Sequence, residues 1–139
     1  MNTPLIIIWK HHLSVGVADV DDDHKKLIKM INRLFGATLS SQPGAVLQGV
    51  LDELTDYVVR HFAREEDYML RLGFSDYQAH KEDHHRLIES VGVFTEQILS
   101  GVAFNIKDQI EHILRDWLVT HIQVYDKQMG QFLNEQGIR

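Results

Sequence analysis

The sequence predicts an all-α protein, an up-down-up-down antiparallel four-helix bundle with an N-terminal arm. Four long segments carry apolar side chains at helical spacing, and short breaks rich in glycine, proline or serine separate them. The predicted helices cover 19–40, 45–71, 76–100 and 106–135. Connections of about four to six residues force neighbouring helices to run antiparallel, which is the arrangement of a simple bundle.

The first two segments repeat apolar residues every three or four positions, as one face of a buried helix does. These stripes are Leu27, Ile28, Ile31, Leu34 and Phe35 in the first segment, and Leu47, Val50, Leu51, Leu54, Val58 and Phe62 in the second. The third and fourth segments show the same period, with Tyr77, Leu87, Ile88, Val91 and Ile98, then Ile106, Ile110, Ile113, Leu114, Trp117 and Leu118. No alternating strand pattern competes with the helices.

The breaks also carry helix-start signals. Ser75 and Gln78 have the spacing of a capping box at the third helix, and Asn105 is placed as an N-cap for the fourth. These signals support the predicted starts.

Length and composition indicate one hydrophobic core. The chain has 139 residues and a mass of 16.1 kDa, the usual size of a single domain. We therefore expect one domain over 1–139, with an arm over 1–18 and the bundle over 19–135. Trp9, Leu13, Val15 and Val17 give the arm apolar side chains with which to pack along the bundle.

Charge and cysteine content exclude several functions. The net charge of −6 provides no basic field for nucleic acid, and no apolar run is long enough for a signal peptide or membrane span. We expect a cytoplasmic protein that binds neither nucleic acid nor membrane. Because the chain has no cysteine, thiolate metal sites, iron–sulfur clusters and cysteine nucleophiles are excluded.

Ionisable residues lie where the apolar stripes continue into the core. Unpaired buried polar groups cost several kcal/mol each (roughly 2–7), so a set spread over all four helices must meet one another or a metal. At 1.5 Å per residue, His24, His61, His84 and His121, one on each helix, all stand about 24 Å from the same end. The candidates are His24, His61, Glu65, His80, His84, His121 and Asp126.

Spacing within each helix supports this set except at one point. His61 with Glu65, and His80 with His84, are four residues apart and share a face. Asp126 follows His121 by five residues and would point about 140° away on an ideal α-helix. A local π-type turn would bring it inward.

The remaining histidines fall off the inward faces. His85 and His112 lie on other faces of their helices, and His11 and His12 belong to the arm. We interpret these four as structural or solvated.

Five imidazoles and two carboxylates exceed the four ligands of a tetrahedral zinc site and are too rich in nitrogen for calcium or magnesium. Two transition-metal ions fit better. A ferritin-like site would use two Glu-x-x-His pairs, but only Glu82 to His85 has that spacing and it is off the inward face. A haem bundle would leave most of these residues without a role. Both remain alternatives.

These residues resemble those of the bacterial hemerythrins over nearly the whole chain. The matching pieces are Val17 to Leu34 with His24, the run from His61 to Glu66, the run from His80 to His84, and Trp117 to His121 followed by Asp126. The five-residue step to Asp126 is also that family's.

The resemblance implies a non-haem di-iron centre with two iron ions and an oxo or hydroxo bridge. His80, His84 and His121 would hold one iron, His24 and His61 the other, and Glu65 and Asp126 would bridge them. Dioxygen would bind at the iron held by His24 and His61, in a pocket lined by the candidates Phe62, Ile113 and Trp117. Asp23 stands where relatives often carry glutamine, and it would orient His24 or face solvent.

We therefore expect reversible oxygen binding for storage, delivery or sensing, with no net chemistry. Sensing would need a separate, unidentified protein partner, because the chain carries no signalling module. The alternative is a di-iron redox enzyme acting on peroxide, nitric oxide or a small substrate. Intrinsic affinity does not select iron, which is inferred from the resemblance alone.

Overall fold

The computed structural model describes residues 5–38, 43–100 and 106–139, and within them four long helices. Helix α1 covers Ala18–Ala37, α2 covers Pro43–Leu72, α3 covers Tyr77–Leu99, and α4 runs over 106–135. The predicted bounds agree within three residues, the largest difference being the end of α1 at Ala37 rather than at 40. The predicted N-cap Asn105 lies outside the described residues.

The four helices form the predicted all-α bundle. α1 packs on α2, α2 packs on α3, and α4 contacts both α1 and α3, so the four helices enclose one core. The described residues contain no strand. Among those same residues, none of the helices is both long and apolar enough to cross a membrane.

The connection between α2 and α3 depends on a glycine rather than on the predicted capping box. Gly73 has a φ of +76°, and beyond it the Phe74 amide donates to the Met69 carbonyl at 2.9 Å, which ends α2 in the manner of a Schellman motif. Asp76, not Ser75, precedes α3, and no side chain caps that helix. The capping-box prediction is wrong because the tight turn already places backbone carbonyls near the first free amides, with the Tyr77 amide donating to Phe74 at 3.2 Å.

Helix α4 alternates between α and π geometry. Its π segments cover Ile110–Asp116 and Ile122–Asp126. In a π turn the hydrogen bonds join residues five apart, so a residue and its fifth successor lie nearly on the same face. The second π segment begins directly after His121 and ends at Asp126, so the local turn predicted from the His121–Asp126 spacing is present.

The N-terminal arm lies against the bundle. Leu13, Val15 and Val17 are buried, as is Ile7, while Trp9 is half-buried with the Lys25 ammonium 5.2 Å from its ring.

Two polar anchors hold the arm to α1. The Asn32 side chain accepts from the Ile7 amide at 3.2 Å and donates to the Ile7 carbonyl at 2.9 Å. Asp21 accepts from the Val15 amide at 2.8 Å and from the Ser14 hydroxyl.

Candidate metal centre

The structure brings all seven predicted candidates into one layer inside the bundle. Each is at most 3% exposed, although imidazoles and carboxylates normally stay at the surface unless they are paired. Their elements are α1 for His24, α2 for His61 and Glu65, α3 for His80 and His84, and α4 for His121 and Asp126. The four remaining histidines, His11, His12, His85 and His112, are exposed.

Glu65 stands between two groups of imidazoles. Its Oε2 lies 3.4 Å from Nε2 of His24 and 3.2 Å from Nε2 of His61. Its Oε1 lies 3.0 Å from Nε2 of His84 and 3.6 Å from Nε2 of His80. One carboxylate thus presents one oxygen to each group.

Asp126 repeats the arrangement from the opposite helix. Its Oδ2 lies 3.0 Å from Nε2 of His24, and its Oδ1 lies 2.9 Å from Nε2 of His80 and 3.1 Å from Nε2 of His121. Two clusters result, which share Glu65. The larger cluster is Glu65, His80, His84, His121 and Asp126, and the smaller cluster is His24, His61 and Glu65.

The donor atoms suit metal ions better than they suit one another. Both oxygens of Glu65 and of Asp126, and Nε2 of His24, His61 and His80, are buried without a hydrogen-bond partner in the described part of the chain. Ligand atoms that bind one first-row ion at about 2.1 Å, at right angles to each other, lie about 3 Å apart. The observed separations of 2.9–3.6 Å match that spacing.

Without a metal, the imidazoles and carboxylates of the site strongly shift one another's pKa values. Burial alone would lower the pKa of His61 and His121, but the adjacent carboxylates outweigh it and raise both pKa values to about 10. Burial, and for Asp126 the Glu65 charge, would raise the carboxyl pKa values. The surrounding imidazoles reverse this and hold the pKa of Glu65 and of Asp126 well below the usual range.

Three further carboxylates surround the centre and accept hydrogen bonds from the outer nitrogens of its histidines. Nδ1 of His61 lies 2.9 Å from Asp23, Nδ1 of His84 lies 2.9 Å from Glu66, and Nδ1 of His121 lies 2.6 Å from Asp83. Asp23, for which the sequence left two possibilities, contacts His61 on the next helix instead of His24.

Sequence reasoning missed Glu66 and Asp83. The signal was available, because each lies beside a candidate in the chain, Glu66 after Glu65 and Asp83 before His84. Such a neighbour points about 100° away from the core, toward the adjacent helix.

Aromatic rings cover the centre on the side of the larger cluster. Phe62 stacks on His84 with ring centroids 3.7 Å apart, and Trp117 stacks on His121 at 4.5 Å. Tyr125 also stacks on His121, at 5.2 Å. Of the predicted pocket residues, Phe62 and Trp117 therefore touch the centre, whereas Ile113 lines a surface groove between α3 and α4 with Phe94 and Val93.

Comparison with known proteins gives a consistent result. Residues 15–133 match the hemerythrin HHE cation binding domain. A bacteriohemerythrin from Stenotrophomonas maltophilia is 34% identical over 94% of this chain and 86% of its own, and one from Methylococcus capsulatus is 35% identical over 87% and 89%. The crystal structure of a wild-type hemerythrin superposes with a TM-score of 0.84 at 32% identity, covering 91% of this chain and 96% of that one. The chain belongs to the hemerythrin family.

Proposed function

We propose that the chain binds dioxygen reversibly at a centre of two iron ions held by the seven buried residues. The observation that supports this most directly is the position of the two carboxylates, each with one oxygen toward His24 and the other toward His80. This is the geometry needed to bridge two ions.

The ligands divide unequally between the two ions. His80, His84 and His121 would hold one ion, and His24 and His61 the other, with Glu65 and Asp126 shared. The second ion would then have one imidazole fewer than the first, which would leave room there for dioxygen. When bound, the two ferrous ions supply the electrons that reversible oxygen binding requires.

The chain's own residues keep the centre dry and its ligands aligned. Water and anions that reach a reduced iron centre promote irreversible oxidation, so a carrier needs an apolar cover. Phe62 is 3% exposed and lies over His84, and its ring also approaches Trp117 with centroids 6.0 Å apart. We propose Phe62 and Trp117 as the part of this cover that lies over His84 and His121. Phe62 also reaches the side where dioxygen would bind, since its ring centroid lies 5.9 Å from that of His61.

The proposed role is storage, delivery or sensing of oxygen with no net chemistry, and sensing would act through a separate protein partner. The names of the relatives, bacteriohemerythrins, agree with a protein of this class. A di-iron redox enzyme would need a route for protons and electrons to the centre, and the aromatic cover and deep burial disfavour free access.

Anaerobic reconstitution with Fe(II) tests the proposal. We expect two irons per chain and a visible absorption that appears on admitting oxygen and disappears on removing it. Two irons with rapid, irreversible oxidation would favour the redox enzyme instead. Failure to bind iron would refute the ligand assignment.

Two adjacent histidines provide a matched pair of variants. His84 is 1% exposed and lies in the centre, whereas His85 is exposed and lies outside it. We expect His84→Ala to lose iron and His85→Ala to retain two irons. Equal iron content in the two variants would contradict the assignment of His84.

Trp117→Ala tests the cover. We expect faster autoxidation and stronger anion binding, because the substitution removes the ring that stacks on His121. Trp9→Ala, at the half-buried tryptophan of the arm, serves as the control. Unchanged autoxidation in Trp117→Ala would show that Trp117 only packs in the core and does not protect the centre.

A further inference from the structure

The three outer carboxylates form a directional series around the bundle. Asp23 on α1 contacts His61 on α2, Glu66 on α2 contacts His84 on α3, and Asp83 on α3 contacts His121 on α4. Each of these helices thus supplies a carboxylate to the imidazole of the next helix in the chain. None of the three belongs to the seven residues of the proposed iron centre.

The antiparallel arrangement explains the chain positions of these carboxylates. Asp23 and Asp83 each precede an inward-facing histidine by one residue on α1 and α3, while Glu66 follows the inward-facing Glu65 by one residue on α2. One step along a helix turns the side chain by about 100°, and the sense of that turn reverses when the helix runs the other way. All three carboxylates are therefore rotated in the same sense around the bundle axis.

The series stops at α4. The residue after His121 is Ile122, which is fully buried and apolar, and the residue after Asp126 is Lys127. In agreement, Nδ1 of His24 on α1 is buried without a hydrogen-bond partner among the described residues. The two groups of histidines therefore have different numbers of outer carboxylates. In the group of His24 and His61, only His61 has one, which is Asp23. In the group of His80, His84 and His121, Glu66 contacts His84 and Asp83 contacts His121.

Asp23 is embedded in a network of its own. It is 7% exposed, accepts a hydrogen bond from the Tyr57 hydroxyl at 2.9 Å, and lies 3.4 Å from the Arg64 guanidinium. These contacts hold the carboxylate in place, so it can fix both the ring orientation and the tautomer of His61. With Nδ1 donating to Asp23, Nε2 of His61 is the nitrogen directed toward Glu65, and it would present its lone pair to an ion that displaces its proton.

We propose that Asp23, Glu66 and Asp83 are positioning residues that act on separate ions of the centre. Asp23 supports the ion held by His24 and His61, where dioxygen would bind, and Glu66 with Asp83 supports the ion held by His80, His84 and His121. This inference rests on the proposed function. Outer carboxylates of this kind orient a ligand imidazole and raise its basicity, and their loss typically costs about 10–100-fold in metal affinity.

Chelator competition on the anaerobic diferrous protein tests the separation. The retained irons are counted against rising concentrations of a ferrous chelator, and we expect two steps in the wild type, the weaker being the ion with two imidazoles. Asp23→Asn should shift the weaker step by about 10–100-fold and leave the tighter step unchanged. Asp83→Asn should shift the tighter step, and Asp22→Asn, at an exposed carboxylate of the same helix as Asp23, should shift neither.

The unchanged step in each variant also reports that the variant is folded. A structural role alone would move both steps together or lower the thermal midpoint without selectivity. If Asp23→Asn shifts both steps equally, or neither, while the wild type holds two irons, the positioning assignment is overturned and the proposed function stands. If the wild type holds no iron, both are overturned.

Discussion

Replacing Gly130 by alanine should displace the N-terminal arm from α4. A Cβ at Gly130 would lie 2.0 Å from the carbonyl oxygen of Val15 and 3.0 Å from its carbonyl carbon, whereas ordinary contact begins at 3.4 Å. One backbone must therefore move by roughly 1.4 Å, the difference between these distances. Neither backbone can move as easily as the flexible end of a side chain would. Gly130 belongs to helix α4, and Val15 belongs to an arm that is held by buried residues.

The cost follows from what that movement disturbs. Val15 is 6% exposed and its neighbours Leu13 and Val17 are 2% and 1% exposed. Overpacking costs about 1–3 kcal/mol, and exposing one buried aliphatic side chain costs about 1.5–3 kcal/mol. Alanine returns about 0.5–1 kcal/mol through its better helix propensity. We expect a net loss of about 2–5 kcal/mol in the free energy of unfolding.

Gly92→Ala is the matched control, because Gly92 also lies within a helix. Among the described residues, no atom outside its own helix turn lies within 4 Å of a Cβ added there. Here only the gain in helix propensity applies, about 0.5–1 kcal/mol. Thermal melts at identical iron loading should show Gly130→Ala lower by about 4–20 °C and Gly92→Ala slightly higher. A Gly130→Ala protein that melts at or above the wild-type temperature would refute the reasoning.

Other contacts lead to further predictions. Asn32→Leu should lower the free energy of unfolding by about 1–3 kcal/mol and open the arm to proteolysis, because the Ile7 amide and carbonyl lose their buried partner; unchanged proteolysis would contradict this. In the metal-free protein the raised pKa values of His61 and His121, about 10 against 6.5 for an ordinary histidine, provide stability that is complete below pH 6.5 and lost as pH rises toward about 10. Urea midpoints measured across that range should fall, and a flat profile would count against the coupling. Iron must displace those protons, so apparent iron affinity should decrease as pH falls, which a chelator competition at several pH values would measure.

The fold was predictable because it rests on periodicity. Apolar residues three and four apart define an inward face regardless of what packs against it, and short connections determine that the helices alternate in direction. The buried histidines were predictable for the same reason, since extending each stripe places a polar residue where only a compensated one is stable. The exposed positions of His85 and His112 follow from the same helical geometry.

Local backbone detail was less predictable. The capping box at Ser75 was wrong because no side chain caps α3 and a backbone carbonyl, that of Phe74, accepts from the Tyr77 amide instead. The inward direction of Asp126 depends on a π turn, for which the residues 122–126 carry no separate local signal. The requirement that a seventh polar group meet the others indicated it, and so did the five-residue step of the family that the chain resembles.

By itself the sequence determined the class of fold and the polar layer inside it, because both follow from spacing along each helix and from the short connections between helices. Its motifs also carried the resemblance to a family. Tertiary structure alone decided which oxygen faces which imidazole, the partner of Asp23, the supporting roles of Glu66 and Asp83, and the path of the arm over Gly130. The physical reason is that these contacts join different helices. Their geometry depends on the rotation and height of one helix against another. Side-chain packing between the helices determines both, and the periodicity within one segment does not encode them.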